Sequence, residues 1–99
     1  MEYRKMGSTG LKVSEICLGT MTFGHGTDEV ESKRIVDAAF DTGVNYFDTA
    51  NSYADAQSEV SLGKALKGKR KDVVVATKFY NPMGPGPNDS GMSLSLIHI

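Results

Sequence analysis

Three short apolar runs, spaced about 30 residues apart, constrain the fold of this chain more than any other feature. The runs lie at residues 14–18, 44–47 and 73–77, and glycine or polar residues follow each of them. A strand, a helix and the two loops that join them occupy about 30 residues in a βαβ unit, so this spacing predicts parallel strands with helices between them. The predicted fold class is therefore α/β, and the strands are expected to end at one face.

The segment between the first two runs carries the signals of a helix. Asp28, with Glu31 three residues later, is a capping box, and it predicts a helix that continues to Thr42 and stops at Gly43. Spacing by three and four residues places one apolar stripe on this helix, formed by Ile35, Val36, Ala39 and Phe40.

A second helix is predicted between the second and third runs. Asp55 or Ser58 can cap its beginning, and Gly68 is expected at its end. Its apolar stripe is weaker and consists of Leu62, Ala65 and Leu66. The basic run at residues 67–71 allows two interpretations, a phosphate site or a solvated helix end that faces its own dipole, and the second is favoured.

Three further segments lie outside the repeat. Residues 3–6 and 11–13 flank a glycine-bounded turn and predict a β-hairpin. Residues 81–90 are rich in proline, glycine and asparagine, so they are expected to form a loop beside the end of the third strand, where it could line a substrate pocket. Residues 94–99 match the translation of an adapter used in sequencing libraries, and we expect a non-native tail there, with no role for His98.

The composition excludes several classes of partner. The chain is 39% hydrophobic and 23% charged, as expected for a globular protein. Its 11 basic and 12 acidic residues leave a net charge of −1, which argues against binding to nucleic acid or to an anionic membrane. No secretory signal and no apolar stretch of about 18 residues is found, so a cytoplasmic location is expected.

Cys17 is the single cysteine and lies within the first apolar run. It can form no disulfide within the chain, so it is interpreted as a small core residue in a reducing compartment. A reactive thiol is the alternative, and the absence of a basic neighbour in the sequence argues against it.

Polar residues that can carry chemistry follow the second and third runs. Asp48 follows the second run, Tyr53 comes five residues later, and Lys78 follows the third run. Because parallel strands end at the same face, this spacing places a carboxylate and an ammonium side by side with a phenol nearby. Such a group can tune a proton donor. Each residue also has a structural alternative: a cap or loop acceptor for Asp48, a packed aromatic for Tyr53 and a rim salt bridge for Lys78.

The loop after the first run begins with Gly19, Thr20 and Met21 and is rich in glycine. Such a loop lets a ligand approach the backbone closely. It lacks both the GxGxxG spacing of a dinucleotide fingerprint and the lysine of a P-loop, so on its own it indicates an ordinary βα turn.

Taken together, these motifs resemble the aldo-keto reductase superfamily, and most closely its branch of aryl-alcohol dehydrogenase-like and potassium-channel β-subunit-like proteins. The resemblance extends over residues 1–93, and its order and spacing make it specific. It rests on the segments Tyr3-Arg4-Lys5-Met6-Gly7, Gly10-Leu11-Lys12-Val13-Ser14, Leu18-Gly19-Thr20-Met21, Asn45-Tyr46-Phe47-Asp48-Thr49-Ala50 with Tyr53, Ser58-Glu59 with Leu62-Gly63, and Ala76-Thr77-Lys78.

The resemblance implies a (β/α)₈ TIM barrel with an entrance hairpin, of which this chain supplies the hairpin and about three βα units. The expected activity is NADPH-dependent reduction of an aldehyde or ketone. Asp48, Tyr53 and Lys78 match three members of the catalytic tetrad, and the fourth, a histidine after the next strand, is expected beyond residue 99. Gly19, Thr20, Met21 and Asp48 are expected at the cofactor, and no metal is implied. An N-terminal fragment of this kind is expected to be inactive alone.

Other classes remain open on the residues alone. A phosphoacceptor signalling domain also places Asp and Lys at neighbouring strand ends, but it needs acidic Mg²⁺ ligands where this chain has Gly19, Thr20 and Met21. A barrel aldolase would use Lys78 to form a Schiff base. A regulatory subunit would bind the cofactor without useful turnover.

Overall fold

A computed structural model describes residues 1–92 of the chain. An antiparallel hairpin comes first, and a three-stranded parallel sheet with two crossover helices follows. The strands are β1 (Tyr3–Lys5), β2 (Lys12–Ser14), β3 (Leu18–Gly19), β4 (Tyr46–Asp48) and β5 (Val74–Ala76), and the helices are α1 (Glu29–Asp41) and α2 (Gln57–Ala65), with a 3₁₀ turn at Arg70–Asp72. The tail predicted at residues 94–99 lies outside the described residues.

The parallel sheet buries one of its faces against both helices. Leu18, Phe47 and Val75 are aligned across the three strands, and they pack into a core completed by Val36 of α1 and Leu62 of α2. Successive side chains of a strand point to opposite faces, so the next residues along each strand lie on the face away from the helices. The sheet thus has an apolar face for packing and a second face on which Asp48 lies.

The strand order distinguishes this sheet from that of a phosphoacceptor domain. The strands lie in the order β3-β4-β5, which is their order in the chain. A doubly wound signalling domain instead has its first strand between the second and third and carries helices on both faces. Sequential parallel strands with helices on one face are the arrangement of a (β/α)₈ barrel.

The capping prediction for α1 is confirmed. The Asp28 side chain accepts a hydrogen bond from the backbone N–H of Glu31 at 2.8 Å. At the other end Gly43 has a φ of 101°, a conformation that glycine adopts without strain, and it lets the N–H of Val44 return to the carbonyl oxygen of Ala39 at 3.0 Å.

The capping predictions for α2 are wrong. Ala56 is the N-cap residue and makes no side-chain hydrogen bond, and the chain enters the helix through left-handed backbone at Ala54, Asp55 and Ala56. A capping side chain requires extended backbone, so Asp55 is excluded, while the Ser58 hydroxyl lies inside the helix and faces the strand ends. The helix ends at Ala65, and Gly68 lies in the turn beyond it with a φ of 85°.

The first buried strand is shorter than predicted, and the interpretation of Cys17 as a core residue is wrong. Ser14 ends the hairpin strand β2, Ile16 is 60% exposed in the bend that follows, and only Leu18 and Gly19 pair with β4. Cys17 is exposed. Because Leu18 points at the helices, its neighbour Cys17 points to the opposite face, which helices α1 and α2 leave uncovered.

The uncovered face leads to a prediction about residues 1–92 produced alone. Parallel strands are usually covered on both faces, but Val74, Val75 and Ala76 are all partly exposed, and Met21 is 63% exposed. β5 pairs with β4 alone among the described strands, so its outer edge is free to pair with another chain.

We expect residues 1–92, produced alone, to bind hydrophobic dyes and to self-associate, as measured by dye fluorescence and size-exclusion chromatography. A soluble monomer with one sharp calorimetric transition would contradict the prediction.

Candidate active site

The ends of β4 and β5 bring Asp48 and Lys78 into direct contact. Asp48 is the last residue of β4 and lies opposite Ala76 in the parallel register, so Lys78 follows two residues beyond on the same face. The Lys78 ammonium donates hydrogen bonds to Oδ2 of Asp48 at 2.7 Å and to the carbonyl oxygen of Thr49 at 2.8 Å. The contact predicted from the strand ends is therefore present.

The carboxylate keeps the lysine charged. The hydrogen bond to Asp48 raises the pKa of Lys78 above its ordinary value of 10.5; desolvation, the next largest effect, opposes this increase, and Tyr53 adds to it. About half of the Lys78 side chain is exposed, 49%, so water screens the pair and its contribution to the stability of the fold is small. The importance of the pair is electrostatic, because it provides a fixed positive charge at the rim of the sheet.

Tyr53 completes the group from the turn that follows β4. The centre of its ring lies 5.1 Å from the Lys78 ammonium, within the range of a cation–π contact. Its backbone N–H bonds back to the carbonyl oxygen of Ala50 at 3.3 Å, which closes the turn. Lys78 thus contacts both other members of the predicted group, the Asp48 carboxylate and the Tyr53 ring.

A small cavity of about 120 Å³ opens beside this group. Its lining includes Tyr53 and Lys78 together with Phe79 and Asn81. The loop expected at residues 81–90 therefore reaches the site at its first residue, where the Asn81 amide contacts the Ser52 hydroxyl at 3.4 Å. The cavity is smaller than the 300 Å³ or more that is usual for ligand pockets.

The three residues after the first run have different environments. Gly19 lies opposite Asp48 across the sheet, and a Cβ atom built on it meets nothing within 4 Å. Met21 is 63% exposed. Thr20 is 1% exposed, and its hydroxyl is bound to the carbonyl oxygen of Asp48 at 2.8 Å. Gly19 thus offers open surface next to Asp48 and Met21 is exposed further along the loop, while the Thr20 side chain is engaged inside the protein.

Sequence reasoning missed the role of Ser58 and Glu59, two residues at the start of α2 that together contact all three strand ends. The buried Ser58 hydroxyl lies 3.0 Å from the hydroxyl of Thr20 and 2.8 Å from that of Thr49. The Glu59 carboxylate accepts a hydrogen bond from the Thr77 hydroxyl at 2.7 Å. The signal available in the sequence was a pair of adjacent polar residues where the apolar stripe of the helix begins.

Cys17 lies near the site without the properties of a nucleophile. Desolvation raises the pKa of its thiol above the ordinary value, the Asp48 carboxylate adds to the increase, and Lys78 opposes it. The thiolate is therefore disfavoured, which agrees with the expectation that this thiol is not reactive.

The basic run at residues 67–71 makes ordinary surface contacts. The Lys69 ammonium lies 3.2 Å from a carboxylate oxygen of Asp37 and 5.6 Å from the centre of the Phe40 ring. Hydrogen bonds from Lys33 and Lys69 lower the pKa of Asp37. Arg70 donates to the carbonyl oxygen of Val73 at 3.3 Å. These contacts favour the solvated helix end over a phosphate site.

The described residues show neither a metal-binding cluster nor a membrane-spanning helix. Within residues 1–92, no three His, Cys, Asp or Glu side chains come together in a way that could hold a metal ion. In the same part of the chain, neither helix has the length and apolar character needed to cross a bilayer.

Comparisons with known proteins give one consistent result. The profile of the Aldo/keto reductase family matches residues 15–98. An uncharacterized oxidoreductase of Bacillus subtilis, YrpG, is 49% identical over 98% of this chain and 33% of its own length. A probable voltage-gated potassium channel subunit beta of Arabidopsis thaliana is 42% identical over 94% of this chain and 29% of its own length.

A solved structure agrees with these relatives. The holo form of the aldo-keto reductase AKR11C1 from Bacillus halodurans superimposes with a TM-score of 0.79 and is 41% identical, covering 91% of this chain and 30% of that chain. The chain therefore spans about a third of the length of the proteins that it matches. The α/β class predicted from the repeat and the part-barrel architecture implied by the resemblance are confirmed.

The ion pair gives a prediction that titration can check. In Asp48→Asn the carboxylate that raises the pKa of Lys78 is lost, so the midpoint of the Lys78 titration should fall. Isotope-edited NMR of the lysine side chains measures it. The pair stabilises the fold below the ordinary lysine pKa, and this contribution is lost as the pH rises through the raised pKa. Asp37→Asn, which breaks the surface pairs with Lys33 and Lys69, is the control. An unchanged Lys78 midpoint in Asp48→Asn would contradict the prediction.

Proposed function

The chain belongs to the aldo/keto reductase family, and from this premise we propose that residues 1–92 supply part of the active site of an NADPH-dependent oxidoreductase that reduces aldehydes or ketones to alcohols. One observation carries the proposal. The Lys78 ammonium is bound by the Asp48 carboxylate and lies against the Tyr53 ring, so a carboxylate, a positive charge and a phenol meet at one rim. The partner is a small carbonyl compound.

The residues at this rim suit the cofactor. Gly19 has open space where a side chain would project, so a flat ring can approach the backbone next to Asp48. Met21, two residues further along the chain, offers exposed apolar surface. Asp48, Gly19, Thr20 and Met21 are therefore proposed to border the cofactor, and Thr20, whose hydroxyl and N–H both bind the carbonyl oxygen of Asp48, contributes by holding that strand end in place. When bound, NADPH supplies a hydride to the carbonyl carbon of the substrate.

The phenol supplies the proton that the reduction requires. A carbonyl group that receives a hydride becomes an alkoxide, which must be protonated as it forms, and an ordinary phenol with a pKa near 10 is a reluctant donor at neutral pH. The charge of Lys78 stabilises the phenolate that Tyr53 leaves behind. Asp48 holds Lys78 in its charged form through the hydrogen bond of 2.7 Å. In the reverse direction, the same phenolate accepts the proton of an alcohol.

The state of Lys78 argues against the Schiff-base aldolase. A lysine that attacks a carbonyl must lose its proton, and enzymes favour this by lowering its pKa through an apolar pocket or a cationic neighbour. Here the neighbour is a carboxylate, and the pKa of Lys78 is raised. The ion pair is therefore suited to stabilising a negative charge and is unsuited to nucleophilic attack.

A regulatory subunit is the second candidate, because the chain is 42% identical to a probable potassium channel subunit beta of a plant. In that case the protein would bind NADPH with little turnover. We place either protein in the cytoplasm, where Cys17 stays reduced. Residues 1–92 alone are proposed to be inactive, because they supply only part of the barrel.

Substitution of the proton donor tests the reductase. Tyr53→Phe removes the phenol and keeps the ring against Lys78, so kcat for carbonyl-dependent NADPH oxidation should fall by about 10²- to 10⁴-fold while NADPH still binds. The measurement uses the complete protein that carries this sequence, with absorbance at the NADPH band and a panel of aldehydes. Tyr3→Phe is the control, since that phenol bonds to Gly43 at the other end of β4.

The outcomes separate the candidates. Full turnover in Tyr53→Phe would refute the role of the phenol. A stable adduct on Lys78 after borohydride treatment with a carbonyl substrate would favour the aldolase. Tight NADPH binding with negligible turnover across the panel, in the unsubstituted protein, would favour the regulatory subunit.

A further inference from the structure

We propose that Ser58 and Glu59, adjacent residues in the first turn of α2, are positioning residues that hold Asp48, Tyr53 and Lys78 in their relative places. The inference deepens the proposed function and rests on it. Each of the two side chains reaches from the helix to the strand ends, and the residues that they contact are the sequence neighbours of the site residues.

Ser58 is the centre of a buried network of hydroxyl groups. It is 0% exposed, and its contacts Thr20 and Thr49 are 1% and 2% exposed. Its hydroxyl donates to the carbonyl oxygen of Thr20 at 2.6 Å, so its oxygen is left to accept from the Thr49 hydroxyl at 2.8 Å. The Thr20 hydroxyl donates to the carbonyl oxygen of Asp48 at 2.8 Å. Every hydroxyl proton of the network is used, so the arrangement is specified.

This network holds the end of β4 at the carbonyl group of Asp48 and at the next residue, Thr49. The carbonyl oxygen of Asp48 accepts from both the hydroxyl and the N–H of Thr20, at 2.8 and 3.0 Å. The next residue, Thr49, is bound to Ser58 by its side chain and accepts the Lys78 ammonium at its carbonyl oxygen. Movement of this segment would therefore displace two of the acceptors that hold Lys78.

Glu59 holds the end of β5 in the same way. Its carboxylate accepts from the Thr77 hydroxyl at 2.7 Å, and Thr77 immediately precedes Lys78. An acidic side chain in the first turn of a helix is favoured by the helix dipole, which stabilises Glu59 in this place. The carbonyl oxygen of Lys78 accepts from the N–H of Asn51 at 3.0 Å. The backbone from which the long lysine side chain extends is thus fixed on both sides.

The first turn of α2 also holds the backbone of Tyr53. The N–H of Ser58 bonds to the carbonyl oxygen of Tyr53 at 3.3 Å, and three of the four residues between them, Ala54, Asp55 and Ala56, have left-handed backbone. Three consecutive non-glycine residues in that region cost free energy, so the surrounding contacts must hold them. The first turn of α2 is accordingly a common support for all three site residues.

Matched substitutions separate positioning from stability. Glu59→Ala and Thr77→Val each remove the bond to the end of β5, whereas Glu59→Gln keeps an acceptor for the Thr77 hydroxyl. Glu31→Ala is the control, because Glu31 occupies the corresponding place in α1 and pairs with Arg34 instead of a strand end. For Ser58→Ala the control is Ser32→Ala, which removes a fully buried hydroxyl that has no hydrogen-bond partner within residues 1–92.

The expected result, in the complete protein, is a fall in kcat of about 10-fold for Glu59→Ala and Thr77→Val, because small displacements of catalytic groups reduce the rate strongly. The KM for NADPH should change little, and Glu59→Gln should retain most of the activity. The NMR titration midpoint of Lys78 should fall in Glu59→Ala and stay in place in Glu31→Ala. Ser58→Ala should lower kcat more than Ser32→Ala does.

Two results would overturn the inference. One is an unchanged titration midpoint of Lys78 in both Glu59→Ala and Thr77→Val. This measurement requires no enzymatic turnover, and it can be made even if the Ser58→Ala variant does not fold. The other is equal activity of Glu59→Ala and Glu31→Ala in a protein whose Tyr53→Phe variant is inactive, since the reductase would then stand without the positioning role. Full turnover in Tyr53→Phe, with a Lys78 midpoint that falls in Glu59→Ala, would refute the proposed function alone.

Discussion

The register between β4 and β5 is the constraint on which the rest of the structure depends. Asp48 lies opposite Ala76, the N–H of Thr49 bonds to the carbonyl oxygen of Ala76 at 2.8 Å, and the pairing continues beyond the strands to Lys78. A slip by one residue would turn Lys78 to the helix side of the sheet, because side chains alternate between the two faces. The apolar alignment of Leu18, Phe47 and Val75 fixes that register, since any other would expose part of the core. The packing on one face therefore determines the chemistry on the other.

The predictions from the sequence that are confirmed depend on local patterns or on the general geometry of parallel strands. The repeat of apolar runs, the Asp28 cap and the meeting of Asp48 with Lys78 depend on local signals or on the rule that parallel strands end at one face. Neither requires knowledge of how particular side chains pack. The same information identified Tyr53 as a member of the group, through its short distance from Asp48 along the chain.

The predictions that are wrong, and the residues that were missed, depend on tertiary contacts. Serine is a common capping residue, but three left-handed residues precede the helix here. The Ser58 hydroxyl instead contacts residues at the strand ends, such as Thr49. Cys17 lies in an apolar run, but the alternation of the strand turns it away from the helices. No periodicity in the sequence distinguishes a face that helices cover from one that they leave open. Polar residues at the start of a helix are likewise ambiguous until the neighbouring strand ends are placed.

The electrostatics of the site connect the family to its chemistry. A carboxylate beside an ammonium favours the charged lysine, which makes Lys78 a poor nucleophile and a good stabiliser of a neighbouring phenolate. In the proposed reaction, the phenol of Tyr53 is the one group of the three that changes its charge, while Asp48 and Lys78 keep theirs. The contacts of Ser58 and Glu59 in the first turn of α2 with the strand ends would keep these groups in place. A reductase and a regulatory subunit with this geometry would share every contact described here, so turnover is the property that distinguishes the two proposed functions.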